Sequence, residues 1–188
     1  GGFSEEEAKA IEKRALELGA ATHTTVDATE TYYRKGIRYL IFGNILKNNT
    51  YPLSVSSERV FQALEVLKHV KKIGADAVAH GSTGAGNDQV RFDIVFEILA
   101  PEVEIIAPIR ELGLSRKEEI DYLQKHGFNF FWEKSRYSIN QGLWGTSIGG
   151  VETLSSHGYL PEEAYPAQVT LEGSEIITIT FEKGEPIA

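Results

Sequence analysis

The sequence predicts an α/β fold that contains a parallel sheet. Two short apolar runs with strand character, ADAVA at 75–79 and VEIIAP at 103–108, alternate with segments whose apolar residues recur at helical spacing. Such alternation continues to about residue 127 and is typical of parallel strands joined by crossover helices. A glycine-rich stretch, AHGSTGAGNDQVRFD at 79–93, follows the first of these strands. We therefore expect a strand, a glycine-rich loop and a helix in succession.

Local signals define the elements at the start of the chain. Ser4 followed by Glu7 is a capping box, and the apolar residues after it recur at helical spacing. Gly19 supplies the end of this first helix. Residues 20–26 are rich in β-branched threonine and valine, so we expect a strand there.

Three further helices are predicted before residue 127, in addition to the helix after the glycine-rich loop. One long helix is expected at 27–47, and residues 48–57, rich in Asn, Pro and Ser, are expected to form a loop. Apolar spacing predicts the next helix at 57–72. Ser115, with a glutamate three residues later, caps a helix that ends at Gly127.

The character of the chain changes after these alternating elements. The segment from about 128 to 167 is aromatic, rich in Ser and Gly, and without clear periodicity. Two alternating strands around Gly173 and Ser174 are expected to form a hairpin with a two-residue turn. We therefore predict two domains, 1–130 and 131–188.

Composition and charge exclude several classes of protein. The chain has 188 residues, 41% hydrophobic and 24% charged, with a net charge of −8. The composition is that of a soluble globular protein, and the charge argues against a nucleic-acid partner. No apolar run is long enough to span a bilayer, so we expect no membrane partner and a cytoplasmic location. With no cysteine and no metal-ligand spacing among five histidines, a disulfide framework, cysteine catalysis and a protein-held metal are not expected.

The two ends of the sequence suggest a longer polypeptide. There is no methionine anywhere, even at position 1, and the last residues, FEKGEPIA, stop just after a strand-like run. We therefore expect these residues to be a piece of a larger protein.

The glycine-rich loop is typical of a site for an anionic or zwitterionic ligand. Its backbone N–H groups and the N-terminus of the following helix face outward at the carboxyl edge of a parallel sheet. Within nine residues it offers the hydroxyl of Thr83, the amide of Asn87, the carboxylate of Asp88 and the guanidinium of Arg91. A carboxylate pairs with an ammonium group and a guanidinium pairs with a carboxylate. An amino acid is therefore the predicted ligand.

Simpler interpretations of this loop stay open at this point. The loop with its Asn and Asp could form only a tight turn with a helix cap, and Asp88 and Arg91 could be a surface pair three residues apart. His80, at the mouth of the loop, suits a structural role as well as a functional one. The loop is not a Walker A motif, because Asn87 and Asp88 stand where a Lys and a Ser or Thr are required.

Three segments resemble the argininosuccinate synthase family. HGSTGAGNDQVRFD at 80–93 is similar to that family's H-G-[AS]-T-G-x-G-N-D-Q-V-R-F motif. YPLSVSSERV at 51–60 resembles its Y-P-L-x-x-S segment, and YSINQGLWGTS at 137–147 resembles [WY]-S-x-x-x-N-L-x-x-x-S. The segments occur in the family's order. The resemblance implies a Rossmann-like parallel sheet of the adenine nucleotide alpha-hydrolase (ATP pyrophosphatase) type, followed by part of an α+β synthetase domain.

The resemblance also implies a reaction and its binding residues. It predicts ATP-dependent ligation of citrulline and aspartate to argininosuccinate through a citrullyl-adenylate, with Mg²⁺ on the phosphates and a homotetrameric protein. The residues predicted to contact citrulline are Tyr51, Ser56, Asn87, Arg91, Ser138 and Ser147. The residues predicted to contact aspartate are Thr83, Asn87 and Asp88. Gly81 is predicted to belong to the ATP surface, and Asp88 and Arg91 are expected to position the substrates.

Departures from the family pattern limit this prediction. The ATP loop S-G-G-x-D-[ST]-S does not occur, and a later Glu and Tyr that contact citrulline, with an oligomerisation helix, would lie beyond Ala188. Gly142 stands where the family usually has asparagine. The common T-S-x-A-R-P reads VSSERV at 55–60, which keeps Ser56 and Arg59 but loses the proline. We expect the chain alone not to turn over. A non-catalytic amino-acid-binding module, or another adenylate-forming enzyme, stays open.

Overall fold

The structure, a computed structural model, divides the chain into two units within one helix, after Glu58. It describes residues 4–84, 86–128 and 137–187. The first of the two units takes the described residues from 59 to 128, and we call it the sheet unit. The second takes those before 59 and after 136, and we call it the hairpin unit. The domain boundary predicted at 130 lies outside the described residues.

The first helix, α1 (Glu5–Glu17), begins and ends as predicted. Ser4 accepts a hydrogen bond from the backbone N–H of Glu7, and the side chain of Glu7 accepts one from the backbone of Ser4. Gly19 follows the helix with a φ of 95°, a left-handed conformation that glycine adopts without steric cost. The capping box and the glycine stop are therefore confirmed.

The strand predicted at 20–26 does not form. These residues have no regular secondary structure, and none of the described strands pairs with them. β-branched residues favour a strand mainly because they pack against neighbouring strands of a sheet. Without such a partner here, the threonines lie in an irregular segment, and the prediction is wrong.

The prediction of a single helix at 27–47 is also wrong, because the helix is not continuous and ends earlier. Three pieces replace it: α2 (Thr29–Tyr32), a π-helical turn (Tyr33–Ile37) and α3 (Arg38–Phe42). The chain leaves the helix at Gly43, and Asn44 has a φ of 45°. Asparagine tolerates this left-handed conformation better than most residues, and it interrupts the helix. Apolar residues continue at helical spacing beyond Gly43, and the predicted helix was therefore too long.

The next helix, α4 (Ser54–Ile73), begins three residues before its predicted start. The carbonyl oxygen of Leu53 accepts both the backbone N–H of Ser57, at 3.0 Å, and its hydroxyl, at 2.7 Å. Leu53 has a φ of 56°, a conformation that is strained for leucine. The end of the predicted loop at 48–57 is therefore a tight entry into the helix.

The sheet unit contains the predicted parallel strands. β1 (Ala77–Ala79) pairs with β2 (Glu104–Ile106) in parallel, and α5 (Asp88–Leu99) connects them. The buried core of this unit comprises Ala63, Leu67, Val70, Val78, Val95, Phe96 and Ala100. These residues come from α4, β1, α5 and the residue that follows α5, so helices cover the short sheet as the α/β prediction requires.

Two helices follow β2 in the same unit. They are α6 (Pro108–Leu112) and α7 (Arg116–Lys125). The second capping box is confirmed, because Ser115 accepts the backbone N–H of Glu118 and the Glu118 carboxylate accepts the backbone N–H of Ser115. No helix in the described part of the chain has the length and apolar character needed to cross a membrane.

Two antiparallel hairpins occur in the hairpin unit. β3 (Ser138–Gly142) pairs with β4 (Gly145–Gly149), and short 3₁₀ turns follow at Val151–Leu154 and Glu162–Ala164. The final pair is β5 (Phe181–Glu182) with β6 (Glu185–Pro186).

The hairpin predicted around Gly173 and Ser174 is wrong. No described strand flanks these two residues. The turn between β5 and β6 consists instead of Lys183 and Gly184, with φ values of 52° and 86°. Two successive positive φ values are what a type I′ turn requires, and they match the twist of a hairpin.

Candidate ligand-binding site

The glycine-rich loop lines an open pocket of about 470 Å³ in the sheet unit. The loop runs from the end of β1 to the start of α5, which is where α/β sheets bind ligands. Three residues predicted to bind aspartate or ATP line the pocket, namely Gly81, Thr83 and Asp88. On α4, Arg59 and Gln62 contribute to the same lining. The pocket therefore combines exposed loop backbone with charged side chains.

Asp88 holds two arginine side chains beside this pocket. Its Oδ2 accepts a hydrogen bond from Nε of Arg59 at 3.1 Å, and its Oδ1 accepts one from Nη1 of Arg91 at 2.7 Å. The exposed fractions of the side chains are 36% for Asp88, 21% for Arg59 and 27% for Arg91. Asp88 and Arg91 are thus more than a local helix pair, since Arg59 joins them from 29 residues away. The two guanidinium groups are of the kind that pairs with a carboxylate of a ligand.

Asn87 immediately precedes α5 but does not cap it. Its side chain makes no capping hydrogen bond, and the residue is exposed. Its backbone carbonyl accepts the N–H of Arg91 at 3.3 Å. The asparagine therefore gives no support to the interpretation of the loop as only a turn with a helix cap, and a ligand-binding role remains its prediction.

His80 connects the glycine-rich loop to α5. Its Nε2 lies 2.9 Å from Oδ1 of Asp93, and its Nδ1 lies 3.3 Å from the backbone nitrogen of Ser82. Because Nδ1 accepts the N–H of Ser82, the neutral ring carries its proton on Nε2 and donates it to Asp93. The ring also stacks on Phe92, with 5.6 Å between centroids. His80 therefore has a defined structural role in the pocket wall.

Arg110 extends this network from α6. Its Nη1 donates to Oδ2 of Asp93 and, at 3.3 Å, to Oε1 of Gln89. The side-chain amide of Gln89 in turn donates to the carbonyl oxygens of Gly84, at 2.8 Å, and Gly86, at 3.3 Å. Gln89 of α5 thus holds the loop directly, and Arg110 of α6 supports it by bonding to Gln89. Sequence reasoning missed the bonds that Asp93 and Arg110 make in this network, because their partners lie 13 to 21 residues away and share no helical spacing.

Replacing Asp93 with asparagine is expected to lower the free energy of unfolding by about 2 kcal/mol. The change removes the charge that pairs with Arg110 and weakens the bond to His80, whose side chain is only 9% exposed. Denaturant unfolding of the variant and of the parent protein measures the difference. Asp121→Asn, at an exposed position on α7, is the control. Equal losses in the two variants would show that the network contributes nothing.

Tyr51 and Ser56 lie in the hairpin unit, at the entry into α4. The hydroxyl of Tyr51 accepts the backbone N–H of Val55 at 3.1 Å, and the hydroxyl of Ser56 donates to the carbonyl of Leu53 at 3.2 Å. Burial acts to raise the pKa of Tyr51, but hydrogen bonds with Ser54, Ser56 and Val55 lower that pKa overall. The oxygen of Tyr51 is therefore held as an acceptor, and this part of the chain is rich in ordered hydroxyl groups.

Ser138 and Ser147 lie on one face of the hairpin formed by β3 and β4. Ser147 is paired with Asn140, which is two residues from Ser138 along β3. Alternate residues of a strand share a face, and so do directly paired residues of neighbouring strands. The structure therefore brings together the two predicted serines and adds Asn140 to them.

The residues predicted to bind citrulline belong to different units. Two lie in the sheet unit and four in the hairpin unit: Asn87 and Arg91, then Tyr51, Ser56, Ser138 and Ser147. In the hairpin unit Tyr51 lies beside Ser56 at the entry into α4, and Ser138 and Ser147 share the hairpin of β3 and β4. The roles of all six residues in binding stay predictions.

The pocket does not fit a magnesium ion held by protein ligands. In residues 4–84, 86–128 and 137–187 no group of three or more His, Asp or Glu side chains is placed to hold a metal. Both carboxylate oxygens of Asp88 are engaged by arginines. A magnesium ion would instead take its ligands from phosphate oxygens and water.

The fold and the pocket define an α/β domain of the nucleotide-binding type, with its ligand site at the loop after a parallel strand. Residues 2–129 match the family model described as the "Arginosuccinate synthase N-terminal HUP domain". This match confirms the predicted fold class, and the chain belongs to the argininosuccinate synthase family.

Individual relatives agree with this assignment over nearly the whole chain. The argininosuccinate synthase of Methanocaldococcus jannaschii is 42% identical over 190 residues, and that of Sulfolobus acidocaldarius is 42% identical over 178 residues. These alignments cover 100% and 94% of this chain. The Bacillus pumilus enzyme is 39% identical over 183 residues, or 95% of this chain. The chain spans about half the length of the curated relatives it matches, since 48%, 46% and 45% of them are covered.

Proposed function

We propose that the polypeptide containing these residues ligates L-citrulline to L-aspartate at the expense of ATP, producing argininosuccinate, AMP and pyrophosphate. The observation that carries the proposal is the pocket in which Gly81, Thr83 and Asp88 meet, in a chain of this family. The ligase belongs to arginine biosynthesis. A homotetramer and a cytoplasmic location stay predictions of the same resemblance.

Aspartate is the ligand that best suits the charged side of the pocket. Its ammonium group pairs with Asp88, whose oxygens retain lone pairs beyond the two arginine contacts. Its carboxylates are attracted by the two guanidinium groups and take hydrogen bonds from Thr83 and Asn87. Arg59, which sequence reasoning left without a role, supplies the second cation.

The proposed reaction has two displacements. The ureido oxygen of citrulline attacks the α-phosphorus of ATP, and pyrophosphate leaves to give a citrullyl-adenylate. The amino group of aspartate then attacks the activated ureido carbon, and AMP leaves. The chain's own residues act by positioning and electrostatics, because neither step requires a covalent bond to the protein. Gly81 lets the nucleotide approach the loop backbone, and Arg91 orients citrulline.

The test is product formation by the polypeptide that the gene encodes, assayed with each substrate omitted in turn. We expect argininosuccinate only when citrulline, aspartate and ATP are all present, with one pyrophosphate released per product. Ornithine in place of citrulline, and asparagine in place of aspartate, are the controls. The 188 residues assayed alone are expected to be inactive, because S-G-G-x-D-[ST]-S does not occur in them.

Two outcomes of this assay would contradict the proposal. Amino-acid binding by calorimetry without any pyrophosphate release would identify an amino-acid-binding module, which the missing ATP motif favours as the alternative. Pyrophosphate release that depends on a different ureido or amide compound would identify another adenylate-forming enzyme.

A further inference from the structure

Two departures from the family pattern lie against each other in the hairpin unit. Glu58 stands at the alanine of T-S-x-A-R-P, and Gly142 stands at the asparagine of the serine segment. Oε2 of Glu58 accepts the backbone N–H of Leu143 at 3.3 Å, across 85 residues of sequence. A carboxylate from the start of α4 therefore reaches the turn between β3 and β4.

Gly142 provides the space that this carboxylate occupies. A Cβ atom at position 142 would stand closer to Oε2 of Glu58 than real Cβ atoms approach their neighbours, and 3.4 Å from its Cδ. The φ of Gly142 is not positive, so the requirement is for space and not for a special backbone conformation. Glu58 is only 9% exposed, which limits where its carboxylate can move. A side chain at 142 therefore displaces Glu58 from Leu143.

The turn held by Glu58 joins the two strands that carry Ser138 and Ser147. The turn also packs on the first residue of α4, since a Cβ atom at Gly145 would lie 3.9 Å from Cβ and Oγ of Ser54. The carboxylate is buried and accepts the backbone N–H of this turn at 3.3 Å, and a charged acceptor makes a stronger hydrogen bond than a neutral one. Glu58 thus sets where the serine-bearing hairpin lies against the start of α4, which also carries Ser56.

We propose that Glu58 and Gly142 form a coupled pair that replaces the alanine–asparagine pair of the family pattern. Glu58 is then a positioning residue for the hairpin that bears Ser138 and Ser147. The side-chain sizes of the two positions compensate each other. In this chain the large Glu58 is paired with glycine, whereas in the family pattern the small alanine is paired with asparagine. The consequence for citrulline rests on the proposed function, whereas the coupling itself rests on the contact between the two residues.

A double-mutant cycle in the gene-encoded polypeptide tests the pair. The proteins are the parent, Glu58→Ala, Gly142→Asn and the double variant that restores the family pattern. We expect the KM for citrulline to rise about tenfold in each single variant and to return to within about threefold of the parent in the double variant. The KM for aspartate is expected to change less than about twofold throughout, a selectivity that a general loss of structure would not produce.

The midpoint of urea unfolding of the same four proteins measures the coupling between the two residues without any assay of activity. We expect it to fall in both single variants and to recover in the double variant. Glu58→Gln, which keeps an acceptor for Leu143, is expected to retain more of the parent's citrulline KM than Glu58→Ala. Gly149→Asn is the control for bulk on the same hairpin, because a Cβ atom there meets nothing within 4 Å.

The outcomes separate the pair from the proposed function. Effects of the two changes that simply multiply in KM and add in the urea midpoint would overturn the coupled pair. Equal losses for citrulline and aspartate would overturn the positioning role. A parent protein that forms no argininosuccinate, but whose urea midpoint recovers in the double variant, would contradict the proposed function and support the pair.

Discussion

Replacing Asp88 with alanine is expected to lower kcat/KM for aspartate by about a hundredfold or more. The substitution removes the acceptor for the ligand's ammonium group and leaves Arg59 and Arg91 facing each other without their shared anion. The first effect acts on aspartate alone, whereas the second also removes the orientation that the carboxylate imposes on Arg91, the residue proposed to orient citrulline. Steady-state kinetics with citrulline and ATP saturating measure the change.

A matched variant separates this effect from a general change in the helix. Glu97→Ala removes an exposed carboxylate from the same helix, α5, and is expected to leave aspartate kinetics within about twofold of the parent. Asp88→Asn keeps the size of the side chain but not its charge, so it isolates the electrostatic part. Unchanged aspartate kinetics in Asp88→Ala would show that our assignment of this residue is wrong.

Replacing Phe96 with alanine is expected to lower the free energy of unfolding by about 3–5 kcal/mol. Phe96 is 2% exposed and lies in the core between α4, β1 and α5. The change removes a large buried ring and leaves a cavity that close-packed neighbours fill only in part. The free energy of unfolding of a typical domain is about 5–15 kcal/mol, so a loss of this size is a large fraction of it.

The cavity is also expected to disturb the pocket, because Phe96 stacks on Phe92 and Phe92 stacks on His80. Denaturant unfolding gives the stability change, and Ile98→Ala is the control. Ile98 lies two residues further along the same helix but is 70% exposed, so its truncation is expected to cost about 0.5 kcal/mol or less. A cost for Phe96→Ala no greater than that of the control would contradict the assignment of this ring to the core.

Elements with a short-range signal were predicted well. The capping boxes at Ser4 and Ser115 each use a residue three positions later, so the pattern contains both partners of the hydrogen bonds. The strands at 77–79 and 104–106 are short apolar runs, and they form within their predicted ranges. The glycine-rich loop likewise lies between strand and helix as expected, because its glycines and polar residues suit no regular element.

Elements predicted from composition, or from apolar spacing without a signal for the end of the helix, were predicted poorly. Threonine content predicted a strand at 20–26, yet a strand requires a partner, and none of the described strands supplies one. Apolar spacing predicted one helix at 27–47, but a left-handed Asn44 interrupts it. Near the end of the chain, a hairpin was predicted around Gly173 and Ser174. The observed hairpin has its turn at Lys183 and Gly184, where both residues adopt positive φ.

The sequence alone determined the family, the strand–loop–helix–strand order around the glycine-rich loop and the residue types that this loop offers a ligand. These follow from neighbours within a few positions, and from motifs long enough to resist chance. Only the tertiary structure decided that Asp88 binds Arg59 as well as Arg91, that Arg110 supports Asp93, and that Glu58 meets the turn beside Gly142. The partners in these contacts, apart from Asp88 with Arg91, are 17 to 85 residues apart. Such pairs form because packing brings distant segments together, and no local spacing encodes them.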